Sequence, residues 1–152
     1  MNLTKHFTLE EMTKSETAIK IGINNTPTQT QIDNLTTLCG KVLEPIREHF
    51  EKPIIVSSGY RCRNLNVAIG GSKTSQHCYG QAVDINNKGT EILNAQLFFW
   101  IKDNLEFDQL IWEFGTSKEP DWVHVSFAPV NRKQILKATK VNGKPIYKLW
   151  QK

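Results

Sequence analysis

Two short segments constrain the fold most. In "AVDIN", Val83 and Ile85 alternate with Ala82, Asp84 and Asn86, and in "WVHVSF", Val123, Val125 and Phe127 alternate with Trp122, His124 and Ser126. Successive side chains of a strand point to opposite faces. Each segment therefore reads as a strand with one apolar face and one face carrying a single metal-capable side chain. If the two strands share a sheet and a core, Asp84 and His124 emerge together on the other face. His77 lies on the loop entering the first strand, and Gly80 permits the tight bend that folds it back over them. Two imidazoles and one carboxylate, with a fourth position open for water, are the makeup of a catalytic zinc site. Such nitrogen and oxygen donors favour zinc over magnesium or calcium, although iron, cobalt and nickel also fit. The plainer alternative stays open on spacing alone: a histidine and an aspartate seven positions apart are also ordinary loop chemistry running into a strand.

The rest of the chain supplies the scaffold. Thr8 followed by Glu11 forms a capping-box pattern, with Phe7 and Met12 placed as a hydrophobic staple, so a short helix starts there. From Thr28 to Phe50, Ile32, Leu35, Leu38, Val42, Leu43 and Ile46 recur at helical spacing, and Pro45 is expected to kink or break this main core helix. "PIIVSSGYR" reads as a buried strand ending at Ser57 or Ser58, and "RNLNVAIGG" as a turn of helix. "TEILNAQLFFWIKDN" reads as a helix whose Phe98, Phe99 and Trp100 belong to the core, and "FDQLIWEFG" as a strand. Near the end, Asn142-Gly143 between two strand-like runs marks a hairpin over about residues 134–150. Helices early and strands late give an α+β fold, a small, mostly antiparallel sheet with helices packed on one side.

Composition narrows the function classes. At 152 residues, 39% hydrophobic and 22% charged, the chain fits one domain that spans its length and buries a core without disulfides. Cys39, Cys62 and Cys78 are odd in number and scattered, which argues against a disulfide framework and a cysteine zinc site. Cys78, beside His77, is expected to pack rather than ligate. The net charge of +4 is dispersed, without basic clusters interleaved with aromatics, so no nucleic-acid partner is expected. The same excess suits a weakly anionic partner such as a cell-wall polymer. No apolar run approaches a membrane span and "MNLTKHFTLEEMTK" lacks a signal-peptide pattern. The expectation is therefore a protein made in the cytoplasm, monomeric and without membrane insertion. His6 and His49 have no metal-capable partner at a recognisable spacing and are expected at the surface.

The full set of motifs is more specific than any one of them. "S-x-H-x-x-G-x-A-x-D" (Ser75, His77, Gly80, Ala82, Asp84) is preceded by "SGYR" (Ser58 to Arg61) and followed by "DWVH" (Asp121 to His124). In this combination, over about residues 5 to 130, the sequence resembles the zinc D-Ala-D-Ala carboxypeptidase family, the M15 peptidases. Within it the chain is similar to the short cell-wall hydrolases of phages and prophages. The resemblance implies that His77, Asp84 and His124 hold one Zn2+ and that Asp121 is the catalytic acidic residue. It also implies that Arg61 contacts substrate near the scissile peptide and that Ser75 helps to hold the substrate carboxylate. The implied fold is the one shared by these peptidases and the Hedgehog signalling domain, in which a comparable zinc site serves structure and binding.

Each role has a plainer counterpart. Arg61 can cap the preceding strand, and Ser75 can be a turn residue. Asp121 has a rival base or ligand-orienting group in Glu113 of "LIWEFG"; Asp121 is preferred because its spacing to His124 ties it to the metal. Trp122, on the strand face of His124, is expected to line the substrate cleft. The resemblance thus implies a zinc metallopeptidase that cuts an amide bond in the stems or cross-links of bacterial peptidoglycan, as a carboxypeptidase or an endopeptidase. As a phage or prophage lysis enzyme, it would reach the wall once the membrane is opened. The alternative is a non-catalytic zinc-containing module that binds cell wall or belongs to a phage particle. Asp121 and Arg61 argue against that alternative, because a structural zinc needs neither.

Overall fold

The computed structural model describes residues 1–151. Six α-helices, α1 (Leu9–Thr13), α2 (Glu16–Ile21), α3 (Gln29–Leu38), α4 (Glu44–Phe50), α5 (Arg63–Ala68) and α6 (Asn94–Asn104), accompany six strands. The strands are β1 (Val56–Ser58), β2 (Ala82–Ile85), β3 (Gln109–Glu113), β4 (Trp122–Ser126), β5 (Gln134–Val141) and β6 (Lys144–Leu149). They form one sheet in the order β1-β2-β4-β3-β5-β6, antiparallel except for the parallel pair β3 and β5. The expected α+β architecture is the observed one. No helix among the described residues is long and apolar enough to cross a membrane.

One face of the sheet makes the core. Val83, Ile85, Leu110, Trp112, Val123 and Val125 meet Leu35, Leu38, Val42, Leu43 and Ile46 of the long helical segment and Leu97, Phe98 and Ile101 of α6. Thr8 caps α1 by accepting from the Glu11 N–H at 3.1 Å, and Phe7 and Met12 are both buried. The expected break at Pro45 does not occur. Residues Cys39–Leu43 form a π-turn in which the Glu44 N–H donates to the Cys39 carbonyl, and α4 follows at once. A proline has no N–H to donate, and its ring collides with the carbonyl four residues back. The wider turn relieves that collision, so the helix passes through Pro45.

Other expectations shift for local reasons. The helix expected from Thr90 begins at Asn94, because Thr90 instead closes a turn onto Asn87, its hydroxyl donating to the Asn87 carbonyl at 2.8 Å. Of the three aromatics expected in the core, Phe98 is fully buried, whereas Phe99 is 40% exposed and Trp100 half-buried, stacked on His49. His6 is no simple surface residue: its ring nitrogen lies 2.8 Å from Glu44, which also accepts from Thr4 and from the His6 backbone. Asn142 and Gly143, with φ of 53° and 78°, make the turn of the terminal hairpin. That hairpin is not an appendage, since β5 pairs with β3 along its length from Gln109↔Gln134 to Glu113↔Ala138.

The buried Asp108, just before β3, ties the sheet to its surroundings. Its carboxylate accepts from Arg132 Nε at 2.8 Å and Nη2 at 2.9 Å, and from Gln76 Nε2 at 2.9 Å. It thereby joins the turn that carries His77 to the strap entering β5. The Arg132 hydrogen bonds, against an opposing effect of burial, bring the Asp108 carboxyl down to about 2. A depressed folded-state pKa contributes stability above the ordinary carboxyl value, and that stability is lost as pH falls from about 4 through about 2. Because the Arg132 side chain is more than half exposed, solvent screening leaves the pair an expected contribution of about 1 kcal/mol at neutral pH. Asp108→Asn should therefore lower the urea midpoint at pH 7 and close the gap to the native protein at pH 2. An equal loss at both pH values would contradict this role.

Candidate metal centre and active site

The site is a patch on the sheet face opposite the core, and the register builds it row by row. Ser58 lies opposite Asp84, Asp84 opposite His124, and His124 opposite Ile111. One pleat further along, Trp122 lies opposite Glu113, Glu113 beside Ala138, and Ala138 opposite Tyr147. Glu113 is thus the diagonal neighbour of His124 across the β3–β4 ladder, within side-chain reach.

His77 enters from above the sheet. It sits in a tight turn, Gln76–Tyr79, whose first N–H groups are capped by Ser75 and whose end is Gly80 with φ 71°. Both the left-handed backbone and the space require glycine there, since a Cβ would strike the Gln31 carbonyl of α3. The loop from Gly59 holds the ring: His77 Nδ1 donates to the Gly59 carbonyl at 2.7 Å, which fixes the tautomer and leaves Nε2 as a lone-pair donor. Burial lowers the pKa of His77, keeping the imidazole neutral, the form that ligates.

Asp84 is the centre of the cluster. Its Oδ1 lies 3.1 Å from His124 Nδ1 and 3.4 Å from His77 Nε2. Two metal–ligand bonds of about 2.0–2.1 Å at a tetrahedral angle place their ligand atoms about 3.3 Å apart, so these donors are spaced as ligands of one small cation. Ligand atoms of all three residues lie within 4.8 Å of one another. Burial alone would raise the Asp84 carboxyl, but its electrostatic and hydrogen-bonding interactions with the His77 and His124 imidazoles override it, holding the group below the usual carboxylate range. The expected half-polar strand is in fact buried on both faces, with Asp84 only 8% exposed. The reason is that the His77 turn and Arg61 cover the face that the helices do not.

The remaining expected residues divide. Arg61 is at the site, but its fork is largely engaged: Nε donates to Ser58 at 3.2 Å, Nη1 to Asn66 at 3.1 Å, and Nη2 lies 3.5 Å from Asp84 Oδ2. It holds the Asp84 carboxylate by Oδ2, leaving Oδ1 to the imidazoles. Ser75 Oγ accepts from the His77 N–H at 3.2 Å, a turn-capping contact. Trp122 shares the site face, packs edge-on against Phe114 and lies across from Glu113. Cys78 is buried with its thiol pushed up by burial, and it is not part of the cluster.

Asp121 is not brought into the cluster. It precedes Trp122, so strand alternation turns it from the His124 face, and its carboxylate binds Lys88 Nζ at 2.8 Å in an exposed pair. Glu113, the rival candidate, lies on the His124 face of the sheet. It is 6% exposed, and burial, reinforced by repulsion from Asp84, pushes its carboxyl up to about 7; His124, the Trp122 indole N–H and Arg61 only partly offset this. A buried carboxyl that titrates near neutrality beside a metal-ligand cluster is suited to accept and return a proton.

Compared with known families, the chain matches the family described as Peptidase M15 over residues 5–126. No curated protein matches it.

Zinc added to metal-stripped protein should raise the melting temperature by roughly 5–10 °C at a hundredfold excess over Kd. His124→Ala should abolish the shift, and Asp121→Ala should keep it. A shift that survives in His124→Ala, or none in the native protein, would contradict the assignment of the ligands.

Proposed function

The chain belongs to the peptidase M15 family, and from that premise we propose that it is a zinc-dependent hydrolase of amide bonds in the peptide stems or cross-links of bacterial peptidoglycan. A phage or prophage lysis enzyme is the setting of that reading. The observation that carries the catalytic part is the placement of Glu113: a buried, poised carboxyl diagonal to His124, next to three side chains able to hold a metal ion. A site that only braced the fold would have no use for it.

His77 Nε2, Asp84 Oδ1 and His124 Nδ1 would hold the zinc. When bound, zinc lowers the pKa of water to about 7 and polarises the scissile carbonyl. Glu113 takes the proton from the attacking water and delivers it to the departing amine. Arg61, 3.5 Å from the second oxygen of Asp84, helps to orient it, a supporting role of the kind that ligating carboxylates need. Trp122, the cross-strand partner of Glu113 on the same sheet face, helps to cover it. Beside Arg61, a groove of about 350 Å³ lined by Lys14, Glu16, Ser58, Tyr60 and Ile69 provides room for the remainder of a peptide chain. Its cations, Lys14 and Arg61, and its carboxylate, Glu16, suit a substrate that carries both an amine and carboxylates, as peptidoglycan stems do.

Purified zinc-loaded protein incubated with muropeptides, followed by mass spectrometry, tests the reading and identifies the bond. The expected outcome is loss of a terminal residue or division of a stem or cross-link. Glu113→Gln should retain zinc and lose about 10²- to 10⁴-fold in turnover, while Asp121→Asn stays within a few-fold of the native rate. Intact muropeptides with native protein would overturn the substrate. Full turnover in Glu113→Gln together with loss in Asp121→Asn would return the base to Asp121.

A further inference from the structure

The terminal hairpin lies outside residues 5–126, the part that matches the family, yet its pairing continues the sheet face that carries the site. Across that face, Glu113 on β3, Ala138 on β5 and Tyr147 on β6 stand in one row. Adjacent strands are about 4.8 Å apart, so Tyr147 starts about 10 Å from Glu113, a gap that a phenol spans when the residue between is small. The residue between is Ala138. Its methyl group is completely buried, although it lies on the face opposite the core, so neighbouring side chains close over it. Tyr147 itself is 50% exposed. Burial and the nearby carboxyls of Glu113 and Asp84 push its phenol up, while Arg61 pulls the other way, placing the hydroxyl in reach of the site's field. The group is a protonated O–H donor at neutral pH, and no protein acceptor for it is found among the described residues.

Besides the buried, unpartnered indole N–H of Trp122, the donors described around the site are largely engaged. Peptide hydrolysis builds negative charge on the carbonyl oxygen, and hydrogen-bond donors aimed at it lower the barrier. Arg61 directs three of its nitrogens to Ser58, Asn66 and Asp84. It also stands at the β1 end of the sheet, whereas β6 is the opposite edge. From there a phenol approaches the reacting group from the Glu113 side.

We infer that Tyr147 is a substrate-contacting hydrogen-bond donor and that the C-terminal hairpin, through it, forms the wall of the peptide cleft opposite Arg61. The inference rests on the peptidase reading of the site but not on peptidoglycan as substrate. Ala138 is part of the device, because a larger residue there would hold the phenol away from Glu113.

Tyr147→Phe in the full zinc-loaded chain removes only the hydroxyl. Its affinity for an alanyl-alanine phosphinate, a mimic of the tetrahedral state, should fall at least tenfold by calorimetry. Turnover of muropeptides should fall about 10²-fold, with zinc content and melting temperature unchanged. Ala138→Leu, which keeps the phenol but blocks its path, should lower phosphinate affinity in the same direction. Native affinity and turnover in Tyr147→Phe would overturn the inference and leave β6 as a sheet edge. Native protein that binds the phosphinate but spares muropeptides would fail only the substrate reading, and the phosphinate comparison would still decide on Tyr147. Native protein that binds no phosphinate would overturn the cleft and Tyr147 with it.

Discussion

The pairing of β2 with β4 is the constraint on which the site depends. It sets Asp84 directly across from His124, with Val83 against Val125 and Ile85 against Val123 on the other face. Because strand side chains alternate with a period of two, a slip of one residue would carry the valines out of the core and both candidate ligands into it. The hydrophobic core therefore specifies the register, and the register specifies the candidate metal site. Burying an ionised carboxylate at Asp84 is costly without partners. Arg61, His77 and His124 surround it, and a cation held by the three donors would complete the compensation.

Strands supply Asp84, His124 and Glu113, whereas Arg61 and His77 lie outside the strands, and His77 is braced from several sides. His77 depends on a single turn, but that turn is fixed by Ser75 at its start, Gly80 at its end, the Gly59 carbonyl on its ring and Gln76 on Asp108. Asp108 passes the restraint to Arg132 and so to the strap that leads into β5. The hairpin after residue 130 is thereby coupled to the ligand turn from two directions, through Asp108 and through the β3–β5 ladder. Disturbing it should be felt at His77 even though no hairpin residue is a ligand.

Much of the site is legible in the sequence because its chemistry is written locally. The alternation of "AVDIN" and "WVHVSF" is enough to place Asp84 and His124 on one face, and Gly80 announces the bend under His77. Glu113 is visible only as a rival to Asp121. Linear spacing to His124 favours Asp121, whereas Glu113 reaches the site across the β3–β4 ladder, and a ladder partner cannot be read from spacing. The same reason hides Tyr147, Ala138 and the Asp108–Arg132 pair, all of which act across strands or segments far apart in the chain. At Pro45 the local rule of a break is overridden by tertiary packing, since Val42, Leu43 and Ile46 must all stay in the core and a π-turn allows it.

The central claim is that one cation is held by His77, Asp84 and His124, with Glu113 beside it and not bound to it. The most direct test is an anomalous-scattering map at the zinc edge from crystals of zinc-loaded protein. The account predicts a single peak within about 2.0–2.2 Å of His77 Nε2, a carboxylate oxygen of Asp84 and His124 Nδ1, with the Glu113 carboxyl outside coordinating distance. A peak ligated by Asp121, by Glu113 or by a cysteine thiolate, or no peak at this cluster, would contradict it.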